Sequence, residues 1–147
     1  MTPSHATLVR ESWARLAPRR AAAVHRFRAR LADVSPRTAS RFACLDQEVS
    51  RDGLLGELDQ AIAVAGSDDD LVPALARLAR RFREYGPAAS EYPMVRDALL
   101  DVLVEGQPEA ALELRRAWGS LFGLLAALVE RAARVGRRET GDGRRET

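Results

Sequence analysis

The sequence predicts a single all-α domain of about seven helices. Apolar side chains recur at intervals of three and four residues through most of the chain, which is the period of an amphipathic helix. No segment shows the strict alternation of polar and apolar residues that is typical of a half-buried strand. Glycine and proline residues separate the apolar segments. With 147 residues, of which 46% are hydrophobic and 30% charged, the chain is long enough for one sizeable core.

The first half of the chain predicts four amphipathic helices. Ser4 is a candidate cap for the first, and Pro18 interrupts the chain after it. Ser35 followed by Pro36 is a favourable start for a short third helix, which ends at Phe42. The apolar positions of the other three helices are Leu8, Val9, Trp13 and Leu16; Val24, Phe27 and Leu31; and Leu54, Leu55, Leu58, Ile62 and Ala65.

The second half predicts three more helices. The segment from Leu71 to Gly86 is strongly amphipathic, and its last large apolar position within the helix core is Phe82. A helix beginning near Ser90 follows, and then a long helix that is apolar around much of its circumference, which we expect to be central. The tail, residues 136–147, contains no hydrophobic residue, so we expect a domain over 1–135 and a disordered polar tail.

Charge and composition exclude several classes of protein. All 23 basic residues are arginine, and 21 acidic residues leave a net charge of only +2. Nucleic-acid binding requires a concentrated basic face, so we expect none. The single Cys44 excludes an internal disulfide framework. The N-terminus lacks a signal-peptide core and no apolar run approaches the roughly 18 to 20 residues that span a membrane, so we expect a cytoplasmic protein that does not bind membranes.

Short motifs occur in a fixed order between Ala6 and Ala133. They are Ser12-Trp13, Pro36 with Phe42 six residues later, LARRFREYG ending at Gly86, Tyr92 with Val95 and Leu99-Leu100, and Ala117-Trp118-Gly119. In this order and spacing they resemble the globin family, in particular the bacterial single-domain and flavohaemoglobin-type globins. The resemblance implies a globin-like fold, with haem and oxygen or another diatomic gas as the family's usual ligands.

Phe82 departs from the pattern of that family. The proximal histidine of a globin lies four residues before the glycine that ends its helix, and Phe82 holds this position before Gly86. Phenylalanine has no lone pair and cannot ligate iron. On the distal side, Arg28 replaces the tyrosine that often follows the phenylalanine at position 27, and the window from Asp52 to Leu54 contains neither glutamine nor histidine.

The resemblance also implies where a former haem pocket would lie. Its residues would be Phe27, Arg28, Phe42, Leu54, Leu58, Phe82, Tyr85, Tyr92, Val95 and Leu99. A pocket of about 300 Å³ left empty would cost roughly 7 kcal/mol, comparable to the stability of a whole domain. We therefore expect the pocket to collapse around Phe42, Leu58 and Phe82, or to hold another apolar ligand.

Three functions are compatible with this pattern. The first, which we favour, is a haem-free regulatory or interaction module without a cofactor, acting on a protein partner or as a homodimer through its last two helices. The second is a globin that binds haem and gas through a substitute ligand, with Tyr85 as the first candidate and Met94, Cys44 and His25 as others. The third is a binder of an apolar metabolite or lipid in the former pocket. We expect no enzymatic activity, since the sequence holds no nucleophile–base pair, carboxylate pair or phosphate loop in a supporting context, and no reductase domain.

Overall fold

Helices form all the regular structure of the described residues, which confirms the predicted all-α class. The computed structural model describes residues 1–42, 53–84, 89–105 and 107–145, with residues 89, 133 and 135–145 as backbone alone. The α-helices are α1 (Pro3–Leu16), α2 (Arg20–Val34), α3 (Pro36–Ser40), α4 (Leu54–Ala63), α5 (Asp68–Glu84), α6 (Tyr92–Glu105) and α7 (Ala111–Arg145). Six of these have ten or more residues, and α3 has five. Short 3-10 turns at Ala17–Arg19, Ala89–Glu91 and Pro108–Ala110 connect or precede them.

Local sequence chemistry explains where the helices start. The Ser35 hydroxyl accepts a hydrogen bond from the Thr38 amide at 3.2 Å, so the predicted cap of α3 is confirmed. The cap predicted for α1 is wrong: Thr2 caps this helix through the His5 amide at 3.2 Å, because Pro3 already occupies the first helical position.

Helix α5 begins three residues earlier than the apolar pattern predicts. Its first turn holds the acidic run 68–70, whose negative charges favour the N-terminal end of a helix dipole. The predicted end of this helix at Gly86 lies outside the described residues.

The core lies where α7 packs against α1, α5 and α6. The buried positions of α7 are Leu114, Ala117, Trp118, Leu121, Phe122, Leu125 and Val129. Its opposite side is exposed at Gly119 and Gly123, so the helix is central but buried on one side only. The helix continues to Arg145, and the division of the chain at residue 136 stays a prediction.

Helices α2 and α6 run antiparallel, as the ion pairs between them show. Arg26 lies 3.0 Å from Glu105, and Arg30 lies 3.5 Å from Asp101 and also pairs with Glu105. The start of α2 is therefore beside the end of α6, and the end of α2 is beside the start of α6. This arrangement places the first residues of α2 and the first residues of α6 at opposite ends of the helix pair.

Within the described ranges, none of the helices combines the length and the apolarity that crossing a bilayer requires.

Candidate functional site

An apolar cavity of about 90 Å³ lies between α1, α2, α4, α5, α6 and α7. Eight of the ten predicted pocket residues line it: Phe27, Phe42, Leu54, Leu58, Phe82, Tyr92, Val95 and Leu99. The other described lining residues are Trp13, Leu16, Arg20, Ala23, Val24, Leu55, Leu78, Arg96, Val102, Phe122 and Leu125. The fold thus brings together residues that are far apart in the chain and that the sequence analysis grouped as one pocket. The ligand of this cavity stays a prediction.

The remaining predicted residues do not line the cavity or are not described. Arg28 is half-buried on α2 and is not part of the cavity wall. Tyr85, Cys44 and Asp52 lie outside the described residues.

The other candidate iron ligands lie away from the cavity. His25 is exposed on α2, and Met94 is half-buried on α6 but does not contribute to the cavity wall. The Nδ1 atom of His5 lies 3.0 Å from the Ser120 hydroxyl, at the contact between α1 and α7. In the described part of the chain, no three histidine, cysteine, aspartate or glutamate side chains converge as a metal site would require.

Four aromatic rings fill the space beside the cavity. Phe27 and Phe42 meet edge to face with ring centroids 5.8 Å apart, and Phe42 lies 6.2 Å from Phe82. Phe82 in turn meets Tyr92 edge to face at 5.7 Å. Distances and angles of this kind are favourable for aromatic pairs. Helices α2, α5 and α6 and the turn after α3 are therefore joined by one continuous row of rings, centred on Phe82.

The Tyr92 hydroxyl is turned away from this row and is fully engaged. It donates a hydrogen bond to the carbonyl oxygen of Phe122 at 2.9 Å, and the side chain is only 5% exposed. Burial raises the pKa of the Tyr92 phenol well above its ordinary value, and the positive charge of Arg96 opposes this only in part. Tyr92 is therefore a neutral hydrogen-bond donor at physiological pH.

Arg20 brings a positive charge to one end of the cavity. Its guanidinium carbon lies 5.5 Å from the centroid of the Trp13 ring, a cation–π arrangement. The closest carboxylate oxygen, from Asp59, is 3.9 Å from the guanidinium, which is too long for a hydrogen bond. Asp59 instead accepts a hydrogen bond from the Trp13 indole at 2.9 Å. The Trp13 ring thus packs against the guanidinium of Arg20, while the N–H donors of Arg20 make no hydrogen bond to the described residues.

Arg96 lies toward the opposite end of the cavity. Because α2 and α6 are antiparallel, Arg20 at the start of α2 and Arg96 near the start of α6 are separated along the helix axes. The Nε atom of Arg96 donates a hydrogen bond to Asp97 at 3.0 Å. The two cavity-lining arginines therefore differ, since only Arg96 has a hydrogen-bonded carboxylate.

The cavity wall offers little to a water molecule. The Tyr92 hydroxyl and the Trp13 indole already have partners, and the other described lining residues apart from the two arginines are apolar. Buried waters need two to four polar partners, which the described apolar part of the wall does not supply. At about 90 Å³ and partly open to solvent, the cavity is smaller than the roughly 300 Å³ expected for an empty haem pocket.

The sequence analysis does not identify the polar side chains that bond to the two tryptophans. The Trp118 indole donates to the Ser12 hydroxyl at 2.9 Å, and that hydroxyl donates to the Val9 carbonyl at 3.1 Å. Arg20 and Asp59 were equally unmarked in the sequence. Because the N–H group of a buried indole usually has an acceptor, the two tryptophans predict that such partners exist but not which residues they are.

No model of a known protein family matches this chain, and a search among curated proteins finds no significant relative.

Proposed function

We propose that this chain is a haem-free domain of globin-like fold that acts as a regulatory or interaction module. The order of short motifs from Ser12-Trp13 to Ala117-Trp118-Gly119 supports the globin-like fold. The all-helical architecture is compatible with it. The proposal that the chain binds no haem depends on the residue that occupies the position of the proximal ligand.

The packing of Phe82 is the observation that carries this proposal. Its side chain is 5% exposed, and its ring packs between those of Phe42 and Tyr92. A ring held on both sides in this way has no iron-binding atom and is committed to contacts within the core. Phe82 therefore acts as a core residue that closes the former site.

The cavity supports the same conclusion. Small-molecule sites typically enclose about 300 to 1,000 Å³, whereas this cavity measures about 90 Å³. None of its described lining residues carries an imidazole, thiol or thioether. Tyr92 is its one described phenol, and a neutral phenol that donates to a carbonyl is a poor substitute for the tyrosinate that ligates haem.

Titration with hemin tests this proposal. We expect the purified protein to give no Soret band with one-to-one stoichiometry. We expect the Phe82→His variant also to give none, because its histidine would face a contracted site, with Phe82→Leu as the matched control for folding. A stoichiometric Soret band in the wild-type protein would overturn the proposal, and its loss in Tyr85→Phe would support the alternative of a substitute ligand.

The exposed face of α7 supports a homodimer as the form of the interaction module. At 100° per residue, Leu112, Arg116, Gly119, Gly123, Ala127, Glu130 and Arg134 share one side of the helix, and all are exposed. A Cβ atom added to either glycine would meet nothing within 4 Å, so nothing in the described part of this chain requires glycine there. Each glycine costs about 1 kcal/mol relative to alanine in a helix, and close approach of a second helix would explain that cost.

The charges on this face are self-complementary. If two copies of α7 cross antiparallel at Gly123, Arg116 faces Glu130 of the second copy, since both residues lie seven positions from Gly123. Neither side chain has an ion pair with the described residues of its own chain, and two such pairs form by symmetry.

Light scattering on a sizing column tests this arrangement. We expect a dimer that Arg116→Glu and Glu130→Arg each weaken and that the double variant restores, while Arg37→Glu on α3 has no effect. A wild-type monomer, or a double variant weaker than both single variants, would contradict this pairing.

A further inference from the structure

The guanidinium of Arg20 and the apolar cavity beside it form a site that the haem-free function leaves unassigned. The Arg20 side chain is 28% exposed, so most of its surface is buried, and its position is fixed by the Trp13 ring. Among the described residues, no nitrogen of Arg20 is a buried donor without a partner, so its N–H groups reach solvent and can donate to a ligand that enters beside them. In the described part of the chain, its closest carboxylate oxygen is 3.9 Å away.

We propose that this cavity binds a short-chain monocarboxylate, with its tail among the apolar side chains and its carboxylate on Arg20. This inference rests on the proposed haem-free function and names the ligand class of the same pocket. A guanidinium presents paired N–H donors that match the two oxygens of a carboxylate. The apolar wall formed by Ala23, Val24 and Phe27 suits a hydrocarbon tail.

The size of the cavity limits the length of the tail. A cavity of about 150 Å³ binds benzene, so about 90 Å³ holds roughly three to five carbon atoms at the same occupancy. The expected ligands are therefore acids of four to six carbons in total, such as butyrate, pentanoate and hexanoate. Asp59, the one carboxylate near Arg20 among the described residues, accepts the Trp13 indole and lies too far from Arg20 for a hydrogen bond, which leaves N–H donors of Arg20 for the ligand.

Calorimetric titration with linear carboxylates from acetate to decanoate tests the proposal, with the n-alcohols of equal length as uncharged counterparts. We expect one-to-one binding that is tightest at four to six carbons and weaker for each matching alcohol. Arg20→Gln should weaken binding of the best acid by roughly tenfold or more, the effect of losing a charge-assisted hydrogen bond, while leaving alcohol binding unchanged. Retained alcohol binding also shows that this variant is folded.

Arg37→Gln on α3 is the matched control, because Arg37 is exposed and is not among the described residues that line the cavity. It should bind the acids as the wild type does. Ala23→Leu places three more carbon atoms in the cavity and should abolish binding of acids and alcohols alike. No saturable binding, affinity that keeps rising to decanoate, or loss of the acid preference in Arg37→Gln rather than Arg20→Gln would each overturn the proposal.

The outcome is separable from that of the haem experiment. A haem-binding protein reveals itself by a Soret band, which the carboxylate titration does not measure. A protein without a Soret band and without saturable carboxylate binding refutes this inference alone.

Discussion

Alkaline titration of Tyr92 gives a prediction that is unusually free of other contributions. The chain has no lysine, since all 23 basic residues are arginine, and arginine stays protonated above pH 12. In the unfolded chain, the side chains that titrate most between pH 10 and 11 are therefore its two tyrosines, Tyr85 and Tyr92. Burial raises the pKa of Tyr92 in the folded protein, whereas in the unfolded chain the phenol titrates near pH 10.

The sign and the size of the effect follow from this difference. Below pH 10 the phenol is protonated in both states, and its contribution to stability is fully present. Above pH 10 the unfolded chain loses a proton that the folded protein keeps, so stability falls as the pH rises toward the folded-state pKa. From pH 10 to pH 11 the unfolded phenol goes from half to about ten-elevenths ionised, which lowers the free energy of unfolding by about 1 kcal/mol.

Urea unfolding followed by far-UV circular dichroism at pH 9, 10 and 11 measures this loss. Tyr92→Phe should be less stable than the wild type at pH 9 by about 1 kcal/mol, because its hydrogen bond to the Phe122 carbonyl is absent. It should then lack the additional loss of about 1 kcal/mol between pH 10 and 11, while Tyr85→Phe retains it. An equal loss in Tyr92→Phe and wild type over this range would refute the assignment.

Three further substitutions test the packing, each by urea unfolding at neutral pH. Ser12→Ala leaves the buried Trp118 indole without its acceptor and should cost about 1 to 3 kcal/mol, whereas Ser4→Ala at an exposed position should change stability by a few tenths. Phe82→Ala should cost about 3 to 5 kcal/mol, and a loss below 1 kcal/mol would show that the ring row is not part of the core. Ser35→Ala removes the cap of α3 and should cost about 1 kcal/mol, against no change if the cap is unused.

Helix periodicity predicts the class of the fold and much of its core. Spacing alone predicts Leu71, Leu75, Leu78, Phe82 and Tyr85 as one apolar face; the first four are buried, and Tyr85 lies outside the described residues. Spacing succeeds here because one face of each helix must be removed from water. The start of α1 could not be chosen in the same way, because Thr2 and Ser4 are both good caps and only their position relative to Pro3 separates them.

The size and chemistry of the cavity could not be predicted from spacing. Its volume depends on how closely α2, α5 and α6 approach and on the orientation of each ring, neither of which is encoded in the pattern of one helix. Arg20 was one arginine among many, and its importance comes from Trp13 on the preceding helix and from Asp59, which is 46 residues from Trp13 in the chain. Such long-range pairs become visible only in the folded arrangement.

The contact between the chain's two tryptophans makes its intrinsic fluorescence a local probe. Trp13 on α1 and Trp118 on α7 have ring centroids 6.1 Å apart, and Trp118 also stacks on Phe122 at 5.6 Å. At this separation the two indoles exchange excitation energy and behave as one coupled chromophore, with an exciton signature in the near- and far-ultraviolet. Emission and fluorescence anisotropy will therefore report the docking of α1 on α7 together with the packing of Arg20 and Asp59 around Trp13, and stopped-flow traces of this protein will time the assembly of this part of the core.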